Sequence, residues 1–278
     1  MRFFVIISAA GWLAAATVSG AIVMGDQNLG NIWCIGDSIT QGNADGDPAG
    51  SPRSYLYDKL QAAGYTFAYT GVGAANAEGL PNDDNYKYHS GISGAVIGSD
   101  YSGRYGHTQR LADDWNRGWL RDHKPDVILI MLGTNDVDNA IDLTNAPARL
   151  AAFIDAIFNQ PGAGNPTILL ATIAPNRKSA QKIADTLAFN AELPALAQSF
   201  QTRGRDVYLA DHFTLLNDSY ALSMNGDNLH PNAQGNQLMA QAWFDAINAL
   251  VIPEPATWAL MVSGAAPLVI VSVRRSRA

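Results

Sequence analysis

A serine, a histidine and an aspartate in two short segments are the residues of this chain best suited to acyl-transfer chemistry. Residues 36–39 read Gly-Asp-Ser-Ile, and residues 227–230 read Asp-Asn-Leu-His. A serine hydroxyl becomes a nucleophile when an imidazole takes its proton and a carboxylate orients that imidazole. Because Asp227 and His230 are three residues apart, their side chains meet on a helical turn. The two segments predict Ser38 as nucleophile, His230 as base and Asp227 as the orienting acid.

A third segment, residues 133–136, reads Gly-Thr-Asn-Asp and follows the most apolar stretch of the chain. The side-chain amide of Asn135 is a neutral donor that can bind an oxyanion without titrating. Each segment also has an ordinary structural interpretation: a helix N-cap at Ser38, a surface Asp–His contact and a strand-ending turn. The three segments together favour a catalytic site over these structural interpretations, because all three are expected at the same edge of one sheet.

The elements that must position these residues alternate along the chain. Short apolar runs predict strands at residues 32–35, 66–69, 127–132, 167–173 and 207–209. Amphipathic runs predict helices at residues 55–63, 109–122, 146–158, 180–201 and 233–250, and Pro194 is expected to kink or divide the fourth. Strands apolar throughout and alternating with helices predict a parallel sheet covered on both faces, an α/β/α sandwich. Residues 42–54 and 72–106 are left as long loops, where functional residues are common.

With these motifs, the chain resembles the SGNH, or GDSL-type, hydrolases. Residues 36–42 match the nucleophile block, residues 133–136 the asparagine block, and residues 227–232 the block that bears acid and base. The family's glycine block resembles residues 89–91 as they occur in acetylxylan-esterase-like members, which makes Gly91 the candidate, with Gly94 and Gly73 as alternatives. The absence of a Gly-x-Ser-x-Gly motif argues against an α/β-hydrolase.

The resemblance implies a five-stranded parallel sheet of flavodoxin-like order and a serine esterase that needs no cofactor. It implies that the N–H groups of Ser38 and Gly91 and the amide of Asn135 bind the oxyanion. Side chains next to these blocks are expected to contact the substrate, and they are Asp37, His89 and Asp136. We predict no metal site, because metal-binding spacings such as His-Glu-x-x-His are missing and there is one cysteine.

Both ends of the chain have the character of targeting segments. Arg2 precedes an uncharged stretch, residues 3–24, which predicts a signal peptide over residues 1–25, with an uncleaved membrane anchor as the alternative. Residues 253–278 combine Pro-Glu-Pro, an uncharged stretch and a basic end, and they resemble the PEP-CTERM sorting signal. That resemblance implies exosortase-type sorting machinery, transient membrane association and a Gram-negative-type cell envelope or extracellular matrix. A plain C-terminal anchor is the alternative, and the hydrolase domain is expected over residues 26–252.

Charge and composition limit the partners. The 278-residue chain has a formal net charge of −7, and removal of both ends takes away four arginines and one glutamate and leaves −10. An acidic domain repels phosphate backbones, so we expect no nucleic acid partner, and a neutral substrate fits better than a polyanion. Cys34 lies in an apolar run and is interpreted as a small buried side chain. His107 and His123 are interpreted as solvated or capping residues, and His212 is the competitor of His230.

The most specific hypothesis is an exported serine esterase that hydrolyses small O-acyl esters, in particular acetyl esters on a polysaccharide. A lipase-like or lysophospholipase-like esterase would use the same site with a longer acyl group. A glycan-binding envelope protein without catalysis would use tyrosines of the two long loops, which can stack on sugar rings. These are Tyr55, Tyr57, Tyr86, Tyr88, Tyr101 and Tyr105.

Overall fold

The computed structural model describes residues 27–42, 47, 49–116 and 119–251, and within these ranges the chain forms a parallel sheet with helices packed against it. The predicted segments 1–25 and 253–278 lie outside the described residues. No helix of the described ranges combines the length and the apolar character that crossing a bilayer requires.

Six strands form the sheet, and every strand pair within it is parallel. They are β1 (Asn28–Gly36), β2 (Thr66–Thr70), β3 (Ser90–Gly91), β4 (Val127–Met131), β5 (Thr167–Ala171) and β6 (Val207–Ala210). The five longer strands lie in the order β2-β1-β4-β5-β6, which is the flavodoxin-like order once the two-residue β3 is set aside. The α/β prediction is therefore confirmed, and β3 is the one strand that the apolar pattern missed. A two-residue strand is too short for any periodicity to reveal.

The helices connect these strands and cover the sheet. They are α1 (Ser38–Gln41), α2 (Pro52–Ala62), α3 (His107–Asn116), α4 (Trp119–Asp122), α5 (Thr134–Asp138), α6 (Ala146–Phe158), α7 (Ala180–Thr202), α8 (His212–Asp218), α9 (Tyr220–Ser223) and α10 (Ala233–Val251). A short 3₁₀ helix, Leu143–Asn145, precedes α6. The three short helices α1, α5 and α8 begin directly or one to two residues after β1, β4 and β6, where the sheet ends.

The central strands are buried over their whole length, which is why their sequences are apolar without alternation. Each residue of β4 and β5 is buried, because helices cover both faces of the sheet. Ile130 of β4 lies in register between Ile35 of β1 and Leu170 of β5, and all three side chains are fully enclosed. This packed centre fixes the positions at which the three strands end.

Helix α7 does not divide at Pro194, contrary to one of the two expected outcomes. Pro194 is exposed, so water can satisfy the carbonyl that loses its helical donor. Leu193, Leu196 and Phe200 on the opposite side are buried in the core. The free energy gained by burying this apolar face offsets the cost of one missing hydrogen bond.

We expect Ile130→Ala to lower the free energy of unfolding by about 2–5 kcal/mol, because it leaves a cavity in the centre of the sheet. The matched control is Ile183→Ala on α7, where 41% of the side-chain surface is exposed and the change should stay within about 0.5 kcal/mol. Urea unfolding of both variants measures the difference. Equal losses for the two variants would contradict the packing described here.

Candidate active site

The site lies at the carboxyl edge of the sheet, where β1 and β4 end. Gly36 and Met131 are paired in the register of these strands, so the segments that follow them emerge side by side. Ser38 begins α1 just after β1, and Asn135 lies in α5 just after β4. The topology therefore brings two segments about a hundred residues apart to one edge, as parallel sheets do.

Ser38, His230 and Asp227 form one hydrogen-bonded chain. The Ser38 hydroxyl oxygen lies 2.9 Å from Nε2 of His230, and Nδ1 of His230 lies 2.5 Å from Oδ2 of Asp227. Ser38 is 7% exposed, and the imidazole is 26% exposed, so a substrate can reach both groups. A carboxylate on Nδ1–H leaves Nε2 unprotonated toward the hydroxyl, which is the tautomer that can accept a proton from serine.

The loop from Asp227 to His230 is a turn rather than the helical turn on which the spacing argument relied. Oδ1 of Asp227 accepts hydrogen bonds from the N–H groups of Leu229 and His230, both at 3.0 Å. Asn228 has a positive φ of 60°, which this turn requires and which asparagine tolerates. Partial burial opposes ionisation of Asp227, but the bonds from the His230 ring and the two N–H groups hold its pKa below the ordinary value. The carboxylate stays charged and fixes the ring.

Two donors for an oxyanion are available where the sequence predicted them. The N–H of Ser38 has no acceptor among the described residues, because it opens α1. The side-chain amide of Asn135 donates to the carbonyl of Ala95 at 3.0 Å, which uses one of its two hydrogens. Asn135 is 7% exposed, so the second hydrogen lies at the accessible edge of a nearly buried group.

The N–H of Gly91, the predicted third donor, donates to Nδ1 of His89 at 2.9 Å in this structure. Its lack of a side chain serves packing instead, since a Cβ there would lie 2.4 Å from the backbone nitrogen of Gln41. Gly94, one of the two alternatives, lies three residues further along the chain. It has φ +75°, its N–H has no acceptor among the described residues, and the next residue is Ala95, which holds Asn135.

His89 is a structural residue rather than the predicted substrate contact. Its ring is 1% exposed, Nδ1 accepts from Gly91, and Nε2 therefore carries the hydrogen that is donated to the carbonyl of Ala75 at 2.9 Å. Burial, with the nearby charge of Arg53, lowers the pKa of His89 to about 3. The neutral ring of His89 thus hydrogen-bonds with both nitrogens and connects Gly91 to Ala75 in the long loop.

The two aspartates predicted to bind substrate are also enclosed in the protein. The Asp136 carboxylate accepts from the N–H of Ile97 at 3.1 Å and pairs with Arg149 at 2.6 Å. Asp37 caps α1 by accepting from the N–H of Ile39 at 3.0 Å, and its second oxygen has no hydrogen-bond partner among the described residues. Neither side chain has exposed surface, so direct contact with a substrate is not available to them.

Arg53 and His107 brace the nucleophile segment, and sequence reasoning missed both roles. Arg53 is 3% exposed. Its guanidinium donates to the carbonyls of Thr40 and Gln41, which follow Ser38 in the chain. It also donates to the carbonyls of Ala75 and Asn76 in the long loop. The ring of His107, interpreted as solvated or capping, is buried and donates from Nε2 to the carbonyl of Gly36 at 2.8 Å. Burial lowers the pKa of His107 to about 4. Isolated polar residues in irregular loops carry no periodic pattern that would predict such burial.

His212, the competing histidine, does not take part in the site. It is fully enclosed, its ring packs edge-on against Trp243 at 4.4 Å between centroids, and neither nitrogen has a partner among the described residues. Burial lowers its pKa to about 3. The placement of His230 on Ser38 therefore leaves no role for His212 as the base.

Burial raises the pKa of Asp37 from 3.8 to about 6, so the folded protein holds a proton that the unfolded chain releases. The free energy of unfolding should therefore fall as the pH rises through this interval, by on the order of 2 kcal/mol. Asp37→Asn keeps an oxygen acceptor for Ile39 and should remove this component. Urea unfolding at several pH values measures it, with exposed Asp218→Asn as the control. An unchanged slope in Asp37→Asn would contradict the assignment.

Known proteins share both the sequence and the architecture described above. The model of the GDSL-like Lipase/Acylhydrolase family matches residues 34–238, well over half of the chain. A multidomain esterase of Ruminococcus flavefaciens is 31% identical over 229 residues, which are 78% of this chain and 28% of that protein. The chain thus spans a little over a quarter of that relative's length.

Solved structures agree with the sequence comparisons. A family 3 carbohydrate esterase of Clostridium thermocellum matches with a TM-score of 0.63 and 28% identity, over 80% of this chain and 97% of that one. A family 3 carbohydrate esterase from Talaromyces cellulolyticus has a TM-score of 0.58 and 21% identity over the same shares, a likeness of fold. From the matched segment and the fold together, the chain belongs to the GDSL-like lipase/acylhydrolase family.

Proposed function

We propose that this protein is an exported serine esterase that removes small acyl groups, in particular acetyl groups, from a polysaccharide. The observation that carries the proposal is the 2.9 Å contact between the Ser38 hydroxyl and Nε2 of His230, with Asp227 on the other ring nitrogen. Such a chain is what an acyl-enzyme mechanism requires.

In the first half-reaction, the Ser38 oxygen attacks the ester carbonyl carbon while Nε2 of His230 takes the hydroxyl proton. The tetrahedral intermediate carries its negative charge on the former carbonyl oxygen. The N–H groups of Ser38 and Gly94 and the Asn135 amide are the candidate donors to that oxygen, and one such donor typically contributes about 3 kcal/mol. The imidazolium, held by Asp227, then protonates the leaving alcohol and the acyl group stays on Ser38.

In the second half-reaction, His230 takes a proton from water and the resulting hydroxide attacks the acyl-enzyme. Collapse of the second intermediate breaks the bond to the Ser38 oxygen, which takes its proton back from His230, and the free acid leaves. No group beyond water is consumed, so this cycle requires no cofactor.

The polysaccharide substrate is supported by two lines of evidence. The solved structure most similar in sequence among those compared above is a carbohydrate esterase, and 97% of its length is matched. Tyr101 and Tyr105 expose about half of their surface in the long loop 72–106 next to the site, and exposed aromatic rings stack on sugars. Export is supported by the uncharged stretch after Arg2 and by the Pro-Glu-Pro tail with its basic end.

We expect Ser38→Ala to lower kcat/KM for an activated acetyl ester by about 10³-fold or more, because the nucleophile is lost. The matched control is Ser199→Ala, an exposed serine on α7, which should keep the wild-type rate. A fluorophosphonate should label the wild type and the control but not Ser38→Ala. Wild-type activity in Ser38→Ala would end the proposal, and binding of glycans without turnover or labelling would favour the non-catalytic alternative.

A series of esters with acyl chains of two to about twelve carbons separates the acetyl hypothesis from the lipase-like alternative. The acetyl hypothesis predicts that kcat/KM falls as the chain lengthens, because a small acyl pocket rejects added methylenes at about 1–3 kcal/mol each. Acetate release from acetylated glycans, measured in parallel, tests whether acetyl esters with sugar leaving groups are also hydrolysed. Rates that rise with chain length would replace the acetyl hypothesis by the lipase-like one.

A further inference from the structure

Residues 98–106 form a small hairpin beside the candidate oxyanion site. Tyr101 and Arg104 form an antiparallel bridge and exchange both backbone hydrogen bonds, at 3.0 and 2.9 Å, and Gly106 forms a separate parallel bridge with Val96. Ser102 and Gly103 at the tip have φ of 47° and 80°, the pair of positive values found in tight type I′ hairpins. This hairpin is therefore a defined element, although no strand pattern in the sequence predicted it.

Arg104 of this hairpin reaches the candidate oxyanion donors from outside. Nη2 of Arg104 donates to Oδ1 of Asn139 at 2.9 Å, and the Asn139 amide donates to the carbonyl of Asn135 at 2.8 Å. Nη1 lies against Gly94, 3.2 Å from where a Cβ would stand. The guanidinium thus lies against Gly94, and Asn139 links it to the backbone carbonyl of Asn135.

Arg104 forms no ion pair within the part of the chain that the structure describes. No carboxylate of the described residues pairs with it, and the Asn139 amide oxygen is the one acceptor that it contacts there. Arg149 and Arg203, by contrast, each pair with an aspartate. The surface of Arg104 is partly exposed, so part of a planar cation faces solvent next to the catalytic groups.

The same hairpin carries two exposed tyrosines, and a second guanidinium lies against one of them. Tyr101 is 53% exposed and Tyr105 is 46% exposed, and the Arg110 guanidinium lies 4.2 Å from the centre of the Tyr105 ring. Aromatic rings stack on the apolar faces of sugars, and a guanidinium pairs with a carboxylate through two parallel hydrogen bonds. A sugar ring that carries a carboxylate matches both features at once, whereas a neutral sugar leaves the charge of Arg104 unused.

We infer that the hairpin 98–106 is a subsite for an anionic sugar, a uronate residue next to the acetylated residue of the polysaccharide, held through Arg104. The inference rests on the proposed esterase function and specifies its substrate class. It goes against the expectation from net charge, which favours a neutral substrate, because no ion pair holds Arg104 among the described residues, whereas Asp100 of the same hairpin accepts from the N–H of Gly106.

The test compares two polymers of matched acetyl content, an acetylated polyuronate and an acetylated neutral xylan, and its readout is the ratio of their kcat/KM values. Arg104→Gln should lower this ratio about tenfold, which corresponds to one charge-assisted pair. Arg104→Lys keeps the charge but loses the planar guanidinium, so its ratio should lie between those of Arg104→Gln and the wild type. The control Arg203→Gln removes the same charge from the end of α7 and should keep the wild-type ratio.

A ratio unchanged in Arg104→Gln would overturn the inference. An equal fall on both polymers would also overturn it, because it would mean that Arg104 only positions Asn139 and the oxyanion donors. Added NaCl should depress the wild-type rate on the polyuronate more than on xylan, since salt screens an exposed pair. Failure of the proposed function is distinguishable: the wild type would then release no acetate from either polymer and would not react with a fluorophosphonate.

Discussion

The hydrogen bond between Ser38 and His230 joins two segments that are 192 residues apart, and the rest of the structure serves to make it. Bringing such distant segments together costs conformational entropy, and the packing of the core must offset that loss. The helix after His230, α10, packs on α2 and is tied to it and to the loop before β2 by Lys59–Gln241 at 2.6 Å and Tyr65–Asn248 at 2.5 Å. The late segment is thereby held against the early one, and the imidazole reaches the nucleophile.

Beneath this contact lies a buried polar layer that gives the site its rigidity. Arg53 donates hydrogen bonds to backbone carbonyls of α1 and of the long loop, and His89 connects that loop to Gly91. Burying such groups is costly unless each is hydrogen-bonded, so the arrangement has few alternatives. A few buried polar atoms in the described residues have no hydrogen-bond partner, and one oxygen of Asp37, next to Ser38, is among them. Strain of this kind is commonly found where a fold supports chemistry.

Charge acts at this site locally rather than through the whole molecule. The chain is acidic overall, yet Asp37 beside Ser38 is buried, and Asp136 is buried and paired with Arg149. Beside them Arg104 presents a partly exposed cation on a rigid hairpin. Because exposed charges are screened within about 10 Å at ordinary salt, the sign of the field at the rim depends on these few groups and not on the net charge.

The sequence by itself determined the α/β class and the five long strands, and it identified Ser38, Asp227 and His230 as a candidate set, because apolar periodicity and short motifs depend only on neighbouring residues. Ser38, Asp227 and His230 form one hydrogen-bonded chain, and Asn135 follows the neighbouring strand β4 at the same edge of the sheet. Only the tertiary structure decided the partner of the Gly91 N–H, which donates to Nδ1 of His89, whereas the N–H of Gly94 has no acceptor among the described residues. It also decided that Asp37, Asp136 and His107 are enclosed, and that a hairpin in an irregular loop brings Arg104 to the site. Burial and hydrogen-bond partners of isolated polar residues are set by distant parts of the chain, and no local pattern records them.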